Sequence, residues 1–179
     1  MNIVETTKIF AFNAHKSVNQ LYDNHPYEFH LKMVASFGEK FIYLIPEKDR
    51  DDVIAGCLAH DLIEDANKTY NDLVKATNRV VAELAYACTN NKGRNRAERA
   101  NDAYYEGIRN TKYATFVKLC DRIANVQYSL ENKSRMVDLY LKENDHFKKM
   151  LYVEGEYEDM WKFLDNILHL YTSVKKYNV

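Results

Sequence analysis

Apolar residues along this chain recur at intervals of three and four, not two, which is the signature of helices with one buried stripe. Leu31, Val34, Ala35, Gly38, Phe41 and Ile42 fall on one such stripe. Val53, Ile54, Cys57, Leu58, Asp61 and Leu62 fall on another, and this spacing predicts a helix that continues through the polar segment at 60–65. Thr69 precedes Tyr70-Asn71-Asp72, a capping side chain ahead of a helix with an acid in its first turn. Val80, Val81, Leu84, Ala85 and Cys88 carry the rhythm onward. The polar stretch from Thr89 to Arg99, with Gly93 inside it, reads as a loop leading into another helix. Two long helices are expected near residues 112–131 and 134–152, and Gly155 separates them from a last one. The two prolines, Pro26 and Pro46, sit in connections. No alternating segment argues for a sheet, and no linker, repeat or low-complexity stretch divides the chain. The expected fold is therefore all-α, with residues 1–179 forming a single domain.

Composition narrows this picture. A chain of 179 residues can bury a substantial core. Its 46% hydrophobic and 28% charged residues, with only 5 Gly, fit a water-soluble helical protein. A formal charge of −1 supplies no general electrostatic reason to bind nucleic acid or a membrane surface, so any anion site must be local. Cys57, Cys88 and Cys120 are odd in number and form no CxxC pair, which argues against a disulfide framework or a thiolate zinc site. Each has apolar neighbours and is expected in the core. The N-terminus lacks a basic-then-apolar leader, and no apolar run is long enough to span a bilayer. A cytoplasmic location is expected.

The unusual segment is His60-Asp61-Leu62-Ile63-Glu64-Asp65. On a helix, Glu64 stacks one turn above His60 and Asp65 one turn above Asp61. Three carboxylates and an imidazole then share one face of an otherwise apolar helix. Buried charges need counter-ions, and a divalent cation satisfies this set. Adjacency of His and Asp carries little weight alone; further donors in matching contexts carry more. His30 stands a turn inside a helix opened by Pro26-Tyr27-Glu28-Phe29, and Asp121 stands beside Cys120 in the run from Phe116 to Asn125. His30, His60, Asp61 and Asp121 make a mixed nitrogen and oxygen set. That set suits manganese, iron, zinc or another first-row metal better than calcium, with magnesium a further candidate, and it leaves positions open for water.

This order, H…HD…D, resembles the HD superfamily of helical metal-dependent phosphohydrolases. Three local patterns are similar, more narrowly, to the (p)ppGpp hydrolase branch: Pro-Tyr-x-x-His at 26–30, His-Asp-x-x-Glu-Asp at 60–65, and Lys-Leu-x-Asp-Arg-x-x-Asn at 118–125. The resemblance spans roughly residues 8–150. It implies an HD-type helical bundle in which His30, His60, Asp61 and Asp121 bind a metal, typically manganese. It implies a catalytic role for Glu64 and Asp65, places Asn125 near the nucleoside, and, through Thr89-Asn90-Asn91-Lys92, places Lys92 near the phosphates. The implied reaction is hydrolysis of the 3′-pyrophosphate ester of (p)ppGpp, giving pyrophosphate and GDP or GTP. That branch usually carries basic residues just before Pro-Tyr-x-x-His. This chain reads Asn19-Gln20-Leu21-Tyr22-Asp23-Asn24-His25, which leaves Tyr22 as the group able to stack on a base.

Plainer readings stand beside these. Lys92, Arg94, Arg96 and Arg99 also fit a solvated loop, and Asn125 fits a side chain bonded to helix backbone. Arg122 fits an orienting partner for a carboxylate. Most tyrosines, including Tyr140, Tyr152, Tyr157 and Tyr171, have the spacing of helix-packing residues. Two other functions compete: a metal-dependent nucleotidase acting on nucleoside monophosphates, and a protein that binds a nucleotide without turning it over. In each case the partner is a small-molecule nucleotide.

Overall fold

A computed structural model describes residues 1–177. Asn2 accepts a hydrogen bond from the Glu5 amide at 2.9 Å and starts α1 (Ile3–Ser17), whose inner face carries Thr7, Ala11, Ala14 and His15. A tight hairpin follows, in which β1 (Leu21–Tyr22) pairs antiparallel with β2 (His25–Pro26). The spacing argument did not foresee it, because strands of two residues are too short to show an alternation. α2 (Glu28–Phe41) buries the predicted stripe of Leu31, Val34, Ala35, Gly38 and Phe41. Beyond two 3-10 turns lies α3 (Arg50–Ala59), buried at every position from Val53 to Ala59.

Here the structure departs from the expected continuous helix. α3 ends at Ala59, His60 and Asp61 form a break, and Leu62–Asp65 make a separate turn, α4. The His60 ring supplies the reason: its Nδ1 lies 2.9 Å from the Cys57 carbonyl and satisfies an acceptor that the next helical amide would otherwise take. Asp61 sits at φ −102°, ψ 3°, outside helical geometry. The Asp65 amide still reaches the Asp61 carbonyl at 2.8 Å, so the side chains of 60–65 remain on neighbouring faces.

α5 (Tyr70–Ala76) opens with the expected cap, a full capping box between Thr69 and Asp72. α6 (Arg79–Cys88) is capped by Asn78. The polar stretch holds one helical turn, α7 (Arg96–Arg99), before α8 (Asp102–Asn110). The long helices are α9 (Ala114–Glu131) and α10 (Met136–Leu151), and α11 (Glu158–Tyr177) follows Gly155. The fold is the expected all-α bundle. α3 is its hub, packed against α1, α2, α6 and α9, while α10 and α11 cover the other side of α9. Cys57, Cys88 and Cys120 are free and buried, as their contexts predict. Among the described residues no helix is long and apolar enough to cross a membrane.

Gly56 sets how closely α3 and α6 approach. A Cβ there would lie 2.6 Å from Leu84 Cδ1 and 3.2 Å from Leu84 Cβ. The side-chain tip can rotate away, but the Cβ is fixed by the α6 backbone. Gly56→Ala is expected to cost about 1–3 kcal/mol through overpacking. The check is a lower urea midpoint at unchanged slope; an unaltered midpoint would mean that α6 yields freely.

Candidate metal centre and the cavity beside it

Three mutually packed helices converge on one set of donors. His30 is the third residue of α2, His60 and Asp61 occupy the break after α3, and Asp121 projects from α9. Donor atoms of His30, His60 and Asp121 lie within 4.8 Å of one another. Asp61 Oδ2 lies 2.9 Å from His60 Nε2 and 3.6 Å from His30 Nε2. Asp121 Oδ1 lies 3.7 Å and 3.4 Å from the same two nitrogens. These separations are of the order expected for donors about 2.0–2.2 Å from one shared cation.

The chemistry of the donors fits a metal as well as their spacing does. The Cys57 carbonyl can only accept, so His60 Nδ1 carries the proton and the neutral ring's lone pair is on Nε2. That nitrogen is fully buried, has no hydrogen-bond partner and faces the Asp61 and Asp121 carboxylates. A lone pair aimed at carboxylates is repulsive unless positive charge sits between them. Burial disfavours charge on His30 and His60, yet Asp121 and Asp61 outweigh it and raise both imidazoles above their ordinary range. Burial likewise opposes ionisation of the acids. Lys118 and the imidazoles nevertheless hold Asp121 well below the usual carboxylate range, and His60 and His30 do the same for Asp61. The cluster is therefore organised around a positive charge, and protons compete with a metal for the same lone pairs.

An outer layer fixes these donors. Lys118 Nζ donates to Asp121 Oδ2 at 2.8 Å. Asn125 Nδ2 donates to Asp121 Oδ1 at 2.5 Å and to the Asp121 carbonyl at 3.0 Å, the backbone bond that its spacing allows. Tyr22 donates to Asn125 Oδ1 at 2.9 Å while its ring stacks on His30, centroids 4.7 Å apart and planes 8° apart. The β1–β2 hairpin thus holds Tyr22 as a cover over the His30 imidazole. Tyr27 donates to Asp61 Oδ2 at 2.5 Å.

A cavity of about 320 Å³ opens beside this centre. Glu64 and Asp65 line it together with His30, Asp61 and Asp121, so the break in the helix does not separate the acidic pair from the donors. Glu64 accepts from the Asn90 side chain at 2.9 Å and from its backbone amide at 3.3 Å. Asp65 is pushed up to about 6 by burial and by the Asp61 and Glu64 carboxylates, which puts a proton-exchanging carboxyl near neutrality. Tyr22 and Asn125 are also in the wall.

Lys92 is not. It is exposed, and its loop folds back so that the Asn91 amide bonds the Arg99 carbonyl at 3.2 Å. That reversal leaves Lys92 on the surface and turns Arg96 and Arg99 of α7 toward the cavity instead. Arg94 is held at the surface by Glu98, at 2.9 Å. Arg96 pairs with Glu143 at 2.6 Å, and Arg122 pairs with the same carboxylate at 3.0 Å while lying over the Phe147 ring. The carboxylate that Arg122 pairs with is Glu143, outside the candidate donor set. Tyr140, expected as a packing residue, is buried but also faces the cavity. Sequence reasoning placed Tyr27, Lys118 and Asn90 in motifs but gave them no role. Two of these carry a usable signal: Tyr27 precedes His30 by three residues and Lys118 precedes Asp121 by three, so each shares a helix face with a donor.

The sequence matches no family model and no curated protein. Among solved structures, one described as a metazoan ortholog of SpoT that hydrolyses ppGpp and plays a role in starvation responses is similar, with a TM-score of 0.74 and 20% sequence identity. The match covers 95% of this chain and 96% of that one. This chain therefore has the all-helical fold of that solved structure, and at its centre a buried His and Asp cluster that could hold a metal ion.

Proposed function

We propose that this chain is a divalent-metal-dependent phosphohydrolase that takes a phosphorylated nucleotide, in the first instance (p)ppGpp, and releases pyrophosphate from its 3′ position. The observation that carries the reading is the unpartnered His60 Nε2, facing two carboxylates at the edge of a cavity that also holds an acidic pair. The shared fold with a structure described as hydrolysing ppGpp supports the choice of first substrate. His30, His60, Asp61 and Asp121 would hold the metal. Their mixed donor set suits a first-row metal; the family resemblance makes manganese the first choice, with iron, zinc or magnesium as alternatives. When bound, such a cation lowers the pKa of water and polarises phosphoryl oxygens.

The chain's own groups do the rest. Glu64, fixed by Asn90, orients the attacking water and accepts its proton. Asp65, titrating near neutrality, exchanges a proton with the reacting oxygens. Arg96, Arg99 and Lys118 offset charge on the phosphates. Manganese-supplemented hydrolysis of ppGpp, with products resolved by chromatography, tests this. Wild type is expected to release pyrophosphate, and Glu64→Gln to lower kcat by about 10²-fold or more, the span of a lost general base.

One observation favours a second substrate class. Tyr22 has a ring face covered by His30, and the segment before Pro26 lacks basic side chains to hold a guanine. A nucleotidase acting on nucleoside monophosphates fits that arrangement. Orthophosphate release from monophosphates, with ppGpp left intact, would select it.

A further inference from the structure

Tyr27 does more than support Asp61 from the outer layer: its hydroxyl sits between two of the carboxylates that matter. Its Oη lies 2.5 Å from Asp61 Oδ2 and 3.1 Å from Asp65 Oδ2. Asp61 Oδ2 is the same oxygen that faces His60 Nε2 and His30 Nε2. A phenol has one proton to donate. The shorter contact takes most of that proton to Asp61, and the longer one shares the same donor with Asp65 Oδ2. The result is one hydroxyl that bridges Asp65 and the Asp61 oxygen facing the imidazoles.

The ring does not depend on this bridge to keep its place. It stacks on buried His15, centroids 4.4 Å apart and planes 20° apart, and meets His30 edge-on at 5.4 Å. Both ring nitrogens of His15 are buried without a partner, so His15 supports Tyr27 as a flat packing surface and offers it no hydrogen bond. Packing therefore holds the phenol, and the hydroxyl is free to act on carboxylates alone.

We propose that Tyr27 is a positioning residue whose hydroxyl ties Asp65 to the metal-facing oxygen of Asp61, setting the orientation of a metal ligand and of a cavity-lining acid with one group. The inference rests on the proposed metal-dependent hydrolase. Hydrogen-bond partners behind metal ligands typically change affinity or activity by about 10–100-fold when removed.

Tyr27→Phe keeps the stack on His15 and deletes only the hydroxyl. Three quantities decide the matter: Mn²⁺ affinity by calorimetry, kcat and KM on the hydrolysed nucleotide, and the melting temperature of metal-free protein. Tyr27→Phe is expected to weaken Mn²⁺ binding and lower kcat, each by about 10-fold or more, with KM and the metal-free melt unmoved. Asp65→Asn should lose less kcat in the Tyr27→Phe background than in wild type, because one hydroxyl bonds both acids. Unchanged Mn²⁺ affinity in Tyr27→Phe would overturn the proposal, as would a lower metal-free melting temperature that accounts for the losses. The Mn²⁺ titration needs no substrate. If wild type binds Mn²⁺ but leaves ppGpp intact, the substrate reading fails while the tie to Asp61 is still decided. A wild type that binds no divalent cation would overturn both.

Discussion

His60→Ala is expected to leave a folded protein that has lost its bound divalent cation and, with it, phosphohydrolase activity. The argument rests on what the ring does in two directions. Its Nδ1 donates to the Cys57 carbonyl, and its Nε2 faces both carboxylates of the centre. Removing the ring deletes a nitrogen donor and moves two buried acids farther from compensating charge, which is costly without a partner. The loss of metal affinity should exceed the roughly 10–100-fold range that outer partners produce, because this is a direct donor. Metal analysis of purified protein, followed by titration with Mn²⁺, measures it. Wild-type stoichiometry and affinity in His60→Ala would show that the metal, if any, is held elsewhere. Because His60 also caps the end of α3, circular dichroism must accompany the titration, and an unaltered helical signal with lost metal is the predicted pair.

Stripping the metal from wild type is expected to lower its melting temperature substantially. A ligand that binds only the folded state stabilises it by about 4.1 kcal/mol at a thousandfold excess over its Kd. For a chain of 179 residues that corresponds to roughly 8–16 °C. The four donors come from α2, the α3–α4 break and α9, so one cation would clamp three separate segments. Melts with chelator and with added Mn²⁺ give the comparison. Readdition of Mn²⁺ should restore the higher midpoint, while calcium should not, since the mixed nitrogen and oxygen set suits a first-row metal. Superimposable melts under all conditions would mean that this cluster holds no resident cation.

The features that were legible along the chain share a local cause. The stripe from Leu31 to Phe41 appears because a helix with one buried face needs an apolar side chain every three or four residues, and that rule needs no knowledge of the partner helix. The Thr69 cap is legible because its hydrogen bonds close within four residues. The donors His30, His60, Asp61 and Asp121 stand out because ionisable groups are conspicuous in otherwise apolar runs. From these the all-α fold and the composition of the candidate centre follow.

Tertiary structure alone decided what those groups do to one another. The break at His60 depends on a ring nitrogen competing for the Cys57 carbonyl, a choice that periodicity does not record. The two-residue strands exist to hold Tyr22 against His30 and Asn125, contacts distant in sequence. Which cations of the polar stretch line the cavity goes with the fold-back of Asn91 onto Arg99, which leaves Lys92 outside the wall and places Arg96 and Arg99 in it. The tie from Asp65 through Tyr27 to Asp61 joins two loop-proximal acids to a residue more than a helix away. Local sequence determines which segments are helical and which residues can bear charge, because those free energies are summed over near neighbours. It does not determine hydrogen-bond partners across the bundle, because those depend on ångström-scale distances that arise only when the helices pack.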